Sequence, residues 1–93
     1  MDQYKLLEIV AKLRYDMDLK GIDKKRFLEH KAHLDNQSNT FKSNTEVYKY
    51  DEEHHTYMMK MIETNIGIVD LEMSKIALEI DHFNEKILKL NKK

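Results

Sequence analysis

Apolar residues return at alternating steps of three and four along the C-terminal half of the chain. Ten consecutive positions of this spacing are apolar, and we call them the C-terminal seam: Met59, Ile62, Ile66, Val69, Met73, Ile76, Ile80, Phe83, Ile87 and Leu90. A heptad spacing of this length is typical of a coiled-coil helix, which packs along another helix. The pattern therefore predicts a long C-terminal helix with one apolar side.

Polar residues before the seam set the predicted limits of this helix. Residues 43–46 read SNTE, the spacing of a capping box in which the serine and the glutamate satisfy the first free backbone amides. Residues 36–40 read NQSNT, and such side chains compete for backbone hydrogen bonds. The sequence thus predicts a loop over 36–43 and a helix over 44–91, about 70 Å long at ~1.5 Å per residue.

The N-terminal third also has a helical pattern, with one apolar stripe made by Leu6, Val10, Leu13 and Met17. Gly21 follows at a position where glycine commonly ends a helix, because it adopts a left-handed conformation without strain. Asp23 then has the character of an N-cap. We expect helices over 3–20 and 24–35, or alternatively one helix bent at Gly21.

A chain reversal in the predicted loop lays the N-terminal helices antiparallel to the long helix. They are shorter than it, so about 15 residues around Ile76–Leu90 are expected to lack cover within the chain. An uncovered apolar seam favours a second copy, whose interface would comprise Ile62, Ile66, Val69, Met73, Ile76, Ile80, Phe83, Ile87 and Leu90. The alternative is that the N-terminal helices cover more of the seam. The predicted fold is an all-α single domain over 1–93, an antiparallel hairpin assembled into a helical-bundle homodimer.

Composition narrows the function classes. The 93 residues include no cysteine and no proline, which excludes disulfides and thiolate chemistry and favours long helices. No signal peptide or membrane-spanning run is apparent, so we expect a cytoplasmic protein without a membrane partner. Lysine makes up 14 of the 16 basic residues, since Arg14 and Arg26 are the only arginines, a bias typical of an AT-rich phage or bacterial genome.

Residues 16–34 resemble a degenerate DNA-binding helix-turn-helix. The resemblance consists of glycine in the turn at Gly21, Ile22 after it and Phe27 five positions later. Met17 and Lys20 depart from the motif, where a small and an apolar residue are usual. The second helix would offer these contacts to DNA or to a protein partner: Lys24, Lys25, Arg26, His30 and Lys31. The net charge of −1 gives no overall attraction to nucleic acid.

Histidines and carboxylates cluster near the predicted loop. A turn near residue 40 would bring His30 close to His54, beside the acidic residues 51–53, in an arrangement that can hold a divalent metal. The paired Glu-x-x-His pattern of helical-bundle metal sites is missing. We therefore predict no metal and no cofactor, with solvent-facing polar side chains at this end.

Parts of an enzyme active site are not found in the sequence. No nucleophile and base at matched spacing, phosphate loop or paired carboxylates stands out. We expect a non-catalytic protein-binding module, such as an adaptor, regulator, inhibitor or assembly factor, that acts through a homodimer and presents residues 22–58 to a partner. A dimeric DNA-binding regulator is the alternative.

Overall fold

The computed structural model describes residues 2–42 and 52–91 of the chain. The described residues form two α-helices of equal length: α1 spans Gln3–Lys42 and α2 spans Glu52–Asn91, with 40 residues each. No strand occurs in these two ranges. The prediction of an all-α chain is confirmed.

Charged residues at the helix ends satisfy free backbone groups or oppose the helix dipole. The backbone N–H of Lys5 donates to Oδ1 of Asp2 at 2.8 Å, so Asp2 is the N-cap of α1. Glu52 and Glu53 lie in the first turn of α2 and Lys89 in its last turn. Each of these three charges is favourable at its end of the helix macrodipole.

The predicted division of the N-terminal third into two helices at Gly21 is wrong, and the structure has the single helix that was the alternative. Helix α1 continues through Gly21, and no residue in the described ranges has a positive φ. A glycine inside a helix costs about 1 kcal/mol relative to alanine, which packing of the flanking turns easily outweighs. Met17 and Phe27, on either side of it, are both half-buried against α2.

The predicted loop is also largely helical, because α1 extends to Lys42. Local competition by Asn and Ser side chains is a weak preference that a long packed helix overrides. The capping box at 43–46 and the predicted helix start at 44 lie outside the described residues. The described part of α2 ends at Asn91, where the sequence predicted the end of the long helix.

Three ion pairs define the antiparallel register of the two helices. Lys20 pairs with Glu72, Lys24 with Asp70 and Lys31 with Glu63, so the paired residue numbers add up to 92, 94 and 94. The hairpin is elongated, with extents of 75 × 16 × 15 Å. This confirms the antiparallel hairpin of the predicted fold.

The apolar core of the hairpin is best formed where the N-terminus of α1 meets the C-terminus of α2, which we call the open end. Leu6, Val10 and Ile87 are buried there, with 2%, 6% and 9% of their surface exposed. Ile80 and Phe83 pack against this cluster. The expectation that Ile76–Leu90 lacks cover within the chain is therefore wrong. Because α1 is as long as α2, it reaches the C-terminal end of the seam.

The apolar stripe of α1 continues at the same alternating steps far beyond Met17. Its nine positions, which we call the α1 seam, are all buried or half-buried: Leu6, Val10, Leu13, Met17, Lys20, Lys24, Phe27, Lys31 and Leu34. Three lysines thus take seam positions in the middle of the hairpin. Their aliphatic stems cover the facing helix while their ammonium groups reach the edge.

Candidate functional site

The residues predicted to join two copies lie mainly between α1 and α2 of one chain. Ile62, Val69 and Ile87 are buried, and the others are half-buried except Leu90, which is 37% exposed. Helix α1 takes the place that the sequence analysis assigned to a second copy. The argument for dimerisation through this seam loses its premise, whereas homodimerisation itself stays a prediction.

The candidate basic contacts separate into two groups. Lys24 bonds Asp70 at 2.8 Å and Lys31 bonds Glu63 at 3.5 Å, so these two ammonium groups are engaged within the hairpin. Lys25, Arg26 and His30 are exposed. Each ion pair is partly solvated and contributes about 0–1 kcal/mol, so its main effect is on which residues of the two helices meet.

Lys20 has the one pKa shift found in the described part of the chain. The hydrogen bond from Lys20 to the Glu72 carboxylate, followed by the attraction of its charge, raises the pKa of the Lys20 ammonium above its ordinary value of 10.5. Asp23 and Asp16 add smaller attractions in the same direction. The shift has the cause of an ordinary structural ion pair and does not indicate a catalytic group.

The helix-turn-helix hypothesis is not matched by the geometry. Residues 16–34 lie in one uninterrupted helix, so no turn separates a supporting helix from a recognition helix. That arrangement is what places the second helix of the motif in the major groove. The resemblance around Gly21 and Ile22 reflects a glycine in a helix whose apolar spacing continues on both sides.

The register also separates the two histidines proposed as metal ligands. Lys31 is level with Glu63, so its neighbour His30 lies near residues 63–64 rather than near His54. Nine residues of helix separate His54 from Glu63, which is about 14 Å along the axis. Within 2–42 and 52–91, no group of three His, Asp or Glu residues is arranged to hold a metal ion. Asp51 of the acidic cluster lies outside the described residues.

The outer surface of α1 carries a short apolar patch that stays exposed in the hairpin. Tyr15, Leu19 and Ile22 follow one another at steps of four and three, and they are 62%, 43% and 49% exposed. We call these three residues the α1 patch. Along the helix they lie close to Lys20 and Lys24, but on the side that faces away from α2.

Helix α2 carries a longer exposed apolar line on the side away from α1. Starting at Tyr57, the alternating steps of four and three give eight positions, which we call the outer stripe: Tyr57, Met61, Thr64, Ile68, Leu71, Lys75, Leu78 and His82. All eight are exposed. The five large apolar residues among them are 45–73% exposed.

Sequence reasoning missed both of these surfaces. The prediction used only the side of α2 that carries the continuous C-terminal seam. Ile68, Leu71 and Leu78 do not belong to that seam and were left out. Their spacings of three and seven residues fit alternating steps of three and four, which are readable in the sequence as a second, weaker heptad line. The α1 patch could have been found in the same way, once the apolar residues of the α1 seam were set aside.

Comparisons with known proteins found no match for this chain. No protein-family model, no curated protein and no solved structure matches it. Within the described ranges, neither helix is apolar enough over a sufficient length to cross a membrane. The two exposed apolar surfaces and the charges around them are the features of the described residues that bear most directly on function.

Proposed function

We propose that this protein is a non-catalytic protein-binding module, in which α1 presents Tyr15, Leu19 and Ile22 to a groove on a partner protein. The observation that carries the proposal is the exposure of these three large side chains in one line on a helix that the hairpin already holds in place. An adaptor, regulator, inhibitor or assembly factor would use such a surface. This is the kind of role that the sequence predicted.

The spacing of the α1 patch suits recognition of a helix in a groove. Tyr15, Leu19 and Ile22 stand at i, i+4 and i+7, which are the anchor positions by which an amphipathic helix fills an apolar groove. Full burial of a leucine- or isoleucine-sized side chain contributes about 1.5–3 kcal/mol relative to leaving it in water. Three anchors can therefore supply several kcal/mol of binding free energy before the costs of association are deducted.

Mixed charges surround the α1 patch. Arg14 and Asp18 are exposed beside it, and Lys25 and Arg26 are exposed one turn further on. A polar rim around an apolar centre is the usual arrangement of a protein–protein interface. The partner is therefore expected to offer an apolar groove edged by both carboxylate and ammonium or guanidinium groups.

The hairpin also prepares α1 for binding. An isolated helix forms only marginally in water, so a free peptide of this sequence would have to become ordered when it binds. In the full chain, seam packing against α2 and the Lys20–Glu72 and Lys24–Asp70 ion pairs hold this part of α1 helical. The ordering cost is then met by folding, and more of the contact energy remains for binding.

Photo-crosslinking in the source cell tests this function. A photoreactive amino acid at the exposed Asp18 position should capture a defined protein, whereas the same probe at the exposed Glu85 position on α2 should not. Replacing all three α1 patch residues by alanine should abolish the capture and leave the helical circular dichroism unchanged. Capture that survives the triple replacement would contradict a role for the patch.

Duplex DNA binding is the alternative that this test must separate. Binding that weakens steeply with salt, and is lost after charge reversal at the exposed Lys25 and Arg26, would favour a DNA-binding regulator. Alanine at the three α1 patch residues should then have little effect on DNA affinity. If the α1 patch carries the function, duplex DNA is bound weakly or not at all, and the charge reversals leave protein capture in place.

A further inference from the structure

The outer stripe makes α2 apolar on two opposite sides between residues 57 and 78. The C-terminal seam faces α1, while Met61, Ile68 and Leu71 point away from it and are 45%, 49% and 73% exposed. A helix with apolar residues on all sides is usually covered on all sides. Helix α2 therefore has the composition of a central helix with a neighbour on each side, and among the described residues 2–42 and 52–91 only α1 is such a neighbour.

The accessible surface of this elongated chain is large for its mass. Its accessible surface is 7452 Å² for a mass of 11.2 kDa. A compact monomer of this mass would expose about 5,700 Å². The excess of about 1,750 Å² exceeds the ~800 Å² that each partner buries in a standard protein–protein interface. Burial of one side of α2 against a second copy is of the right size to remove a large part of it.

The outer stripe is complementary to itself in one antiparallel register. When two copies of α2 run in opposite directions and residues whose numbers add up to 139 face each other, Met61 meets Leu78 and Ile68 meets Leu71. Tyr57 meets His82 in the same register, and Thr64 meets Lys75. Each large apolar residue of the stripe then faces another apolar residue or a ring. A shift of seven residues in either direction places Ile68 or Leu71 opposite a polar residue.

Charges beside the outer stripe favour the same arrangement. Lys60 and Asp81 lie on one flank of the stripe, and neither makes an ion pair within the described residues. Antiparallel helices bring these flanking positions together, so Lys60 of each copy lies beside Asp81 of the other. A parallel pair would instead place Lys75 opposite Lys75 inside the stripe, which is unfavourable.

We propose that the chain forms a two-fold symmetric homodimer in which the outer stripes of two α2 helices pack antiparallel, centred between Ile68 and Leu71. The four helices then lie in the order α1, α2, α2, α1, and the α1 patch of each copy remains exposed. This interface is distinct from the function proposed above, which uses α1. It makes the assembled protein bivalent for the partner of the α1 patch.

Molar mass in solution tests the dimer directly. Light scattering across a dilution series should give twice 11.2 kDa for the wild-type chain. Leu71→Asp should raise the dimer dissociation constant by about 100-fold or more, because two-fold symmetry places two unpaired charges in the apolar stripe. Helical circular dichroism should persist, since Leu71 is 73% exposed in the hairpin. Leu19→Asp on α1 is the matched control and should leave the dimer intact.

A charge exchange tests the antiparallel register. Lys60→Asp alone and Asp81→Lys alone should each weaken the dimer several-fold, and the double variant should recover most of the loss because both symmetric pairs are restored. Absence of recovery in the double variant would overturn the register. A wild-type monomer at all concentrations would overturn the dimer, as would a Leu71→Asp chain that keeps the dimer mass. A monomer whose outer stripe binds a different protein would assign the stripe to that protein instead.

Discussion

The open end of the hairpin and its middle hold the same two helices together by different means. At the open end, Leu6, Val10 and Ile87 are buried in an apolar cluster that needs no charge. In the middle, Lys20 and Lys24 take seam positions and reach Glu72 and Asp70 at the edge of α2. One helix pair thus combines an end where buried apolar residues cluster with a middle where single buried residues such as Val69 alternate with lysines that align the two helices.

A heptad spacing thus determines which side of a helix packs, whereas the residue type determines how much free energy the packing contributes to folding. A lysine at a seam position covers apolar surface with its stem and places its charge at the edge, so it costs little there. Such a lysine also contributes little to the stability of the hairpin, because exposed ion pairs are weak. Yet each ion pair is satisfied in one register only, which is a basis for specificity that Leu and Ile residues alone lack.

The largest effect is expected at the open end. Leu6→Ala should lower the free energy of unfolding by about 2–3 kcal/mol, because it removes buried methyl groups and leaves a gap beside Val10. Urea denaturation followed by circular dichroism, at one fixed protein concentration, measures the change. Leu7→Ala is the matched control: Leu7 is 46% exposed and its replacement should cost clearly less. Equal losses for the two variants would show that the open end is not the main core.

A smaller change in the free energy of unfolding, of the opposite sign, is expected in the middle of the hairpin. Lys24→Met keeps the apolar stem at a seam position and removes a half-exposed ion pair, so it should raise the free energy of unfolding by about 0.5–1.5 kcal/mol. Lys25→Met, at the exposed neighbouring position, should change it by no more than about 0.5 kcal/mol. A clear loss of stability for Lys24→Met would mean that the ion pairs contribute far more than alignment.

Gly21 offers a test of helix continuity in the middle region. Gly21→Ala should stabilise the hairpin by about 0.5–1 kcal/mol, because Gly21 is helical and a Cβ atom there would meet nothing within 4 Å. Thermal unfolding at fixed concentration measures this. If Gly21 instead ended a helix in a left-handed conformation, alanine would be destabilising, and the helix division predicted from the sequence would be restored.

The smallest effect is a pH dependence confined to the middle. The pKa of Lys20 is raised in the folded chain, so its contribution to stability is fully present below the ordinary value of 10.5 and is lost as the pH rises through the folded value. Urea midpoints above pH 10.5 should therefore fall more steeply for the wild type than for Lys20→Met. Parallel pH curves for the two proteins would show that the Lys20–Glu72 pair is not formed in solution.

Sequence patterns predicted the fold class because the two strongest patterns were simple. The C-terminal seam predicted a long helix, and Leu6, Val10, Leu13 and Met17 predicted a helix to pack on it. Two predictions were wrong, the helix break at Gly21 and the loop over 36–43. Both rested on local preferences of about 1 kcal/mol or less per residue, which long-range packing overrides. The lysines at seam positions concealed that the α1 seam continues.

The surfaces were harder to predict than the fold. Whether Leu71 or Ile76 faces α1 depends on which of two apolar lines on α2 the neighbouring helix covers, and that choice is made by packing between distant segments. The longer line is covered by α1, so the shorter outer stripe stays exposed. The candidate contacts at Lys24 and Lys31 were misjudged for the same reason, since their acidic partners lie 46 and 32 residues away in the chain.

The most direct test of the account is a distance measurement between the two helices within one chain. The chain has no cysteine, so Glu8→Cys and Glu85→Cys allow spin labels at two exposed positions that the register places level with each other. We expect a separation of about 20–30 Å, roughly two helix diameters, that is unchanged when labelled protein is diluted with unlabelled chain. A separation beyond about 60 Å, or a short one that disappears on dilution, would contradict it, because α1 would then not cover the seam of its own chain.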